Sequence, residues 1–144
     1  MKLERNVITH HSARQMFELV NAIETYPQFL PWCHSARVIS QSEKEVQAEI
    51  EIAWTGIHKR FSTHNILQPF SRIEMRLIEG PLSHLEGIWD FIPLNEQTCK
   101  VCLELDFEFT KSLVDRMFQP IFNHIANNLV DAFVKRAAEI YHEN

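Results

Sequence analysis

The spacing of apolar residues changes period twice along this chain, and those changes divide it into elements. Leu3 to His10 reads as a first strand. Ser12 follows as a helix N-cap with Gln15 at the reciprocal position, a capping box. Ala13, Met16, Phe17, Val20 and Ile23 then recur at helical spacing and predict a short amphipathic helix. Tyr26-Pro27 ends it, and Pro27 to Pro31 has room for only a turn of helix before Trp32.

The middle of the chain alternates with period two. Val46, Ala48, Ile50, Ile52 and Trp54 share one strand face, with Gln47, Glu49 and Glu51 on the other. Thr55-Gly56 is the turn of a predicted two-residue hairpin. In that register Ile50 faces Phe61 and Ile52 faces Lys59 on the inner side, while Glu51 faces Arg60 on the outer side. Hydrophobic and charge patterns choose the same register. Ile73, Met75 and Leu77 alternate up to Gly80-Pro81; Leu85, Gly87, Trp89 and Phe91 alternate up to Pro93. Val101, Leu103, Leu105, Phe107 and Phe109 then alternate with Cys102, Glu104, Asp106 and Glu108. One face is apolar and aromatic, the other acidic, as in an antiparallel sheet packed on one side and wet on the other.

From Leu113 to about His142 the period returns to helical, opened by Ser112 with Asp115. Met117, Phe118, Ile121, Phe122, Ile125, Leu129, Phe133, Ala137 and Ile140 form a broad stripe. Pro120 interrupts it and predicts a kink or a short preceding helix. The predicted order is strand, two short helices, six strands, long helix. An α+β fold with a curved antiparallel sheet around the last helix buries both apolar faces.

Composition narrows the function. With 144 residues, 45% of them hydrophobic, the chain is expected to form one domain over 1–144 with a sizeable core. A net charge of −5 argues against a dedicated nucleic-acid binder, and no DNA partner is expected. Three cysteines suit neither a disulfide framework nor an oxidising compartment. The amino-terminal residues lack the apolar core of a signal peptide, and no apolar run approaches the roughly 20 residues of a membrane helix. A cytoplasmic setting, with at most peripheral contact at the inner membrane, is expected. The three glycines form no phosphate-cradling repeat.

The run Tyr26-Pro27-Gln28-Phe29-Leu30-Pro31-Trp32-Cys33 is distinctive. So are Ala53 to Phe61 followed by Ser62-Thr63, Glu79-Gly80-Pro81-Leu82, Leu85 to Phe91, Phe107-Glu108-Phe109 and Phe122 to Asn127. Together with Val130 to Val134 and Arg136-Ala137, they make the chain resemble the START-like polyketide cyclase and lipid-transport superfamily. More narrowly it is similar to the coenzyme Q-binding branch, whose bacterial members include RatA-type ribosome association toxins. The resemblance covers essentially the whole chain. It implies a helix-grip fold, a seven-stranded sheet gripping the carboxy-terminal helix around a hydrophobic cavity. It also implies a non-enzymatic role, with no covalent cofactor, binding ubiquinone or another prenyl lipid in support of respiration or quinone biosynthesis. For RatA-type members it implies binding the large ribosomal subunit and blocking subunit association.

A cavity would be walled by Ile50, Ile52, Trp54 and Phe61 from the hairpin, and by Met75, Leu77, Trp89 and Phe91 from the next two strands. Leu105 and Phe107 continue that wall, Gly87 makes room beside its aromatic neighbours, and Phe17, Phe122 and Leu129 face it from the helices. Tyr26, Phe29, Leu30 and Trp32 put large apolar surface on a short loop stiffened by Pro27 and Pro31, either as a mouth or as a cap on the core. Lys59 points inward near a turn, so its ammonium either meets a quinone carbonyl or anionic headgroup or snorkels to solvent.

Other chemistries are poorly served. His84-Leu85-Glu86 and Cys99-Lys100-Val101-Cys102 resemble zinc-deaminase motifs, but on strands residues three apart point to opposite faces. No metal site is therefore expected. Glu104, Asp106 and Glu108, near Glu86 and Asp90, read as a solvated acidic face rather than a catalytic pair. Cys33 has no base placed beside it, His34 being adjacent in sequence only. His58, Lys59, Arg60 and His64, with Arg72 and Arg76, form a candidate RNA-facing patch that Glu49, Glu51 and Glu74 offset. Asn123, Asn127 and Asn128 are poor helix formers within a predicted helix.

Overall fold

A computed structural model describes residues 1–110 and 112–141. Strand β1 (Lys2–Thr9) leads into helix α1 (Ala13–Asn21) and a 3-10 helix (Ile23–Gln28). Six strands follow: β2 (Cys33–Gln41), β3 (Glu45–Trp54), β4 (Ile57–Gln68), β5 (Arg72–Glu79), β6 (Leu82–Asn95) and β7 (Thr98–Phe109). Helix α2 (Leu113–Ile140) closes the chain. The strands form one curved sheet in the order β1-β7-β6-β5-β4-β3-β2, every pair antiparallel.

The start of α1 is built as its sequence requires. Ser12 accepts from the Gln15 backbone at 3.1 Å and the Gln15 side chain accepts from the Ser12 backbone at 3.0 Å. The hairpin takes the expected register, with Ile50 opposite Phe61, Glu51 opposite Arg60 and Ile52 opposite Lys59. Thr55 and Gly56 both adopt positive φ, at 45° and 84°, the geometry of a tight two-residue hairpin turn.

Two boundaries differ from the sequence pattern. Helix α2 continues through Pro120, so of the kink and the separate short helix expected there, the short helix does not form. Proline removes the backbone donor that would meet the Arg116 carbonyl, but burial of Phe118, Ile121 and Phe122 on both sides holds the segment helical. Ser112 makes no side-chain capping bond, and the Asp115 side chain and His142 lie outside the described residues. Strand β6 runs past Pro93 to Asn95. Beyond Asp90 it pairs only with β7, so it is an edge there and tolerates proline.

The core lies between the inner sheet face and the two helices. Phe133, 1% exposed, sits at its centre with ring centroids 5.2 Å from Tyr26, 5.3 Å from Phe29 and 5.4 Å from Trp89. The asparagines of α2 have local partners. Asn127 donates to the Asn123 carbonyl and Asn128 to the His124 carbonyl, each at 2.7 Å, and Arg5 of β1 donates to the Asn127 side chain. They bind the helix surface to itself and to the first strand.

Candidate ligand cavity

Alternation on β3 and β4 directs Ala48, Ile50, Ile52, Phe61, Thr63 and Asn65 to the inner face, and these make the floor of a cavity. Met75, Leu85 and Leu105 extend that floor across β5, β6 and β7. Phe122, Ile125, Ala126 and Leu129 recur at helical spacing on α2 and form the roof. Ile23, Tyr26 and Trp32 close the side. The cavity volume is about 120 Å³, and the space is open over part of its boundary. A dry engineered cavity of about 150 Å³ lined by Leu, Ile and Phe binds benzene, so this space suits a single ring and not a polyprenyl chain.

The lining is apolar except at a few atoms. Tyr26 is 9% exposed and donates its hydroxyl to the Val20 carbonyl. Burial, and secondarily the neighbouring Cys33, push its phenol above the ordinary range, so it stays neutral. Thr63 and Asn65, two residues apart on β4, bring a hydroxyl and an amide, and Trp32 brings an indole N–H. No carboxylate, imidazole, guanidinium, ammonium or thiol lies among the lining residues.

Of the residues read from the sequence as ligand-binding, Tyr26, Trp32, Ile50, Ile52, Phe61, Met75, Leu105, Phe122 and Leu129 line this cavity. The others lie elsewhere, because large aromatics on the inner face fill space with one another. Trp89 stacks on Phe91 at 6.1 Å, Phe17 packs edge-on to Phe91 at 5.8 Å, and Phe107 meets Phe122 at 4.9 Å. Trp54 packs against His124 at 5.3 Å near the hairpin end.

The proposed mouth divides likewise. Leu30 is 1% exposed in the core, and Phe29 packs on Phe133 beneath the Arg136 guanidinium, 5.4 Å from its ring. Tyr26 and Trp32 alone of that segment reach the cavity. Leu77 is half-buried toward Gly80. Lys59 is half-buried on the inner face but outside the lining. Gly87 is covered by Met75 and Leu105, whose side chains would stand 2.6 and 2.9 Å from a Cβ placed there. It shapes the wall from behind rather than forming it.

Sequence reasoning missed Ile23, Ala48, Thr63, Asn65, Leu85, Ile125 and Ala126. For Ala48, Ala126, Thr63 and Asn65 the signal was small size or polarity at inward positions, Ala48 and Ala126 leaving the room that the aromatics elsewhere occupy, whereas Ile23, Leu85 and Ile125 read as ordinary core positions. The remaining candidates fall outside the cavity. Cys99 is fully buried while Cys102 is half-buried on the opposite face. Burial raises the Cys33 thiol to about 11, leaving it a poor nucleophile at neutral pH. On the outer face Glu86 stands opposite Asp106. Arg60 lies 3.9 Å from Glu49 and 3.8 Å from Glu51, His58 3.4 Å from Glu51, His64 3.6 Å from Glu45, and Arg72 2.8 Å from Asp90. The cationic patch is thus threaded with carboxylates.

Residues 9–134 match the polyketide cyclase/dehydrase and lipid-transport family. The chain belongs to that family. It is 42% identical over 142 residues to the ribosome association toxin RatA of Vibrio cholerae, with 99% of each chain covered. It is 28% identical over 134 residues to the mitochondrial coenzyme Q-binding protein COQ10 homolog B of Xenopus laevis, covering 90% of this chain and 55% of that protein. Among solved structures, the Zhui aromatase/cyclase from Streptomyces sp. R1128 superposes with a TM-score of 0.86 over 99% of this chain and 96% of that one. At 14% identity that likeness speaks for the fold of this family and not for its chemistry. No helix among the described residues is long and apolar enough to cross a membrane.

Proposed function

We propose that this chain is a non-enzymatic binding protein whose cavity takes the ring of a prenyl quinone or a related apolar molecule. The observation that carries this reading is an apolar, ring-sized cavity between sheet and helix whose lining holds no side chain suited to acid, base or nucleophilic catalysis at neutral pH. Burial of apolar ligand surface is worth roughly 25 cal/mol per Å², which supports binding without a catalytic group. The similarity to a protein named coenzyme Q-binding supports the same ligand class. Titration with a short-tailed benzoquinone and with its hydroquinone, followed by tryptophan fluorescence, to which the lining residue Trp32 contributes, tests it. Saturable binding that Ala48→Phe abolishes in a folded protein is expected; absence of binding to the unaltered protein overturns the reading.

A second reading, association with the large ribosomal subunit, is favoured by similarity along the full length to a protein named as a ribosome association toxin. It would use the outer surface and leave the cavity free. Cosedimentation with purified ribosomal subunits on sucrose gradients tests it. Charge reversal at Arg60 and Arg76 is expected to weaken that association while sparing the quinone titration. Equal loss of both activities would contradict separate sites.

A further inference from the structure

On the inner face of β4 the run Phe61-Thr63-Asn65-Leu67 places two polar residues where a closed core would carry apolar ones. Asn65 is only 5% exposed, and its side chain borders the cavity. Its Oδ1 is buried with no hydrogen-bond partner among the described residues. Buried polar atoms are rarely left unpaired, because desolvation is not repaid without a donor. Asn21 carries the other such atom, but it is half-buried at the end of α1 and does not line this cavity. The unpaired acceptor thus coincides with the ring-sized space. Tyr26 does not satisfy it, since the Tyr26 hydroxyl is committed to the Val20 carbonyl.

We infer that Asn65 is a specificity-determining residue, selecting an apolar ring that carries a hydroxyl and accepting a hydrogen bond from that hydroxyl at Oδ1. This rests on the reading that the cavity binds a ligand, and it names the ligand's polar chemistry: a phenol or hydroquinone in place of a bare hydrocarbon. Thr63, adjacent on the same face, offers a second hydroxyl to a further ring substituent. Because the volume holds a ring alone, any chain attached to that ring must leave the cavity. The ring therefore sits inside the cavity, against Thr63 and Asn65 of β4.

The test uses the full chain with two probes of equal shape, 4-ethylphenol and 4-ethyltoluene, titrated into the unaltered protein and into Asn65→Leu. The phenol's affinity relative to the toluene should fall about 10-fold in the variant, the equivalent of one hydrogen bond. If Asn65→Leu fails to fold, the side-chain amide resonances of Asn65 in the unaltered protein give the answer. They should shift with the phenol and not with the toluene. Equal effects of both probes on Asn65 overturn the inference while leaving the cavity reading intact. Phenol preference that survives Asn65→Leu also overturns it, by placing the acceptor elsewhere. Binding of neither probe removes the cavity reading and the inference together.

Discussion

Gly87→Ala tests the cavity from behind its wall. The added methyl carbon would lie 2.6 Å from Met75 Cε and 2.9 Å from Leu105 Cδ2, whereas carbon atoms prefer separations of about 3.5–4.0 Å. Met75 must therefore retreat by about 1 Å and Leu105 by about 0.6 Å. Both line the cavity, which offers them space to enter. Overpacking ordinarily costs about 1–3 kcal/mol, and replacing a strand glycine by alanine returns about 0.5–1 kcal/mol. With a flexible methionine end and open space beside it, the cost falls at the low end, and the net change in stability should stay within about 1 kcal/mol. Thermal unfolding should then shift by no more than about 3 °C.

Ligand binding should respond far more. Loss of about two methylenes' worth of ligand contact is about 1.5 kcal/mol, a weakening of roughly ten-fold. The assay is a paired measurement of melting temperature and tryptophan-fluorescence titration with a short-tailed benzoquinone and its hydroquinone. Unchanged affinity in a folded Gly87→Ala protein would refute the reasoning, because the methyl can be accommodated only by moving residues that line the cavity or by shifting the sheet.

Phe133→Ala should lose about 3–5 kcal/mol in urea unfolding, since Phe133 is 1% exposed and touches three aromatic rings; a loss below 1 kcal/mol would show that these elements do not pack around it. The Cys33 and Cys99 thiols are both raised from 9.0 to about 11 by burial, so folding favours their protonated forms. Their contribution is fully present below pH 9 and is lost as pH rises through 11. Urea midpoints should fall over that window, and Cys33→Ala with Cys99→Val should flatten the fall; an identical slope in the double variant would count against burial of these thiols.

The hairpin was legible because two independent codes agreed: apolar alternation on one face, and Glu51 against Arg60 on the other. Strand β2 carries a weaker code. It is an edge strand, mostly exposed, with irregular register at Cys33/Ser35 and Val38/Ser40, so its residues show little inward periodicity. Pattern also identifies which face of the sheet is apolar without saying where that face is hollow. Trp89, Phe91 and Phe107 share the inner face with Ile50 and Ile52, yet they fill their own volume, while Ala48 and Ala126 leave space. The most informative lining residue, Asn65, was overlooked because a single polar residue in a strand resembles a solvent-facing position until its burial is known.

Native mass spectrometry of the protein purified from its own host, followed by solvent extraction, tests the central claim most directly. A one-to-one complex is expected, releasing a small apolar molecule that bears a hydroxylated or quinone ring. A protein that emerges empty and also fails to take up added benzoquinone or its hydroquinone would contradict it.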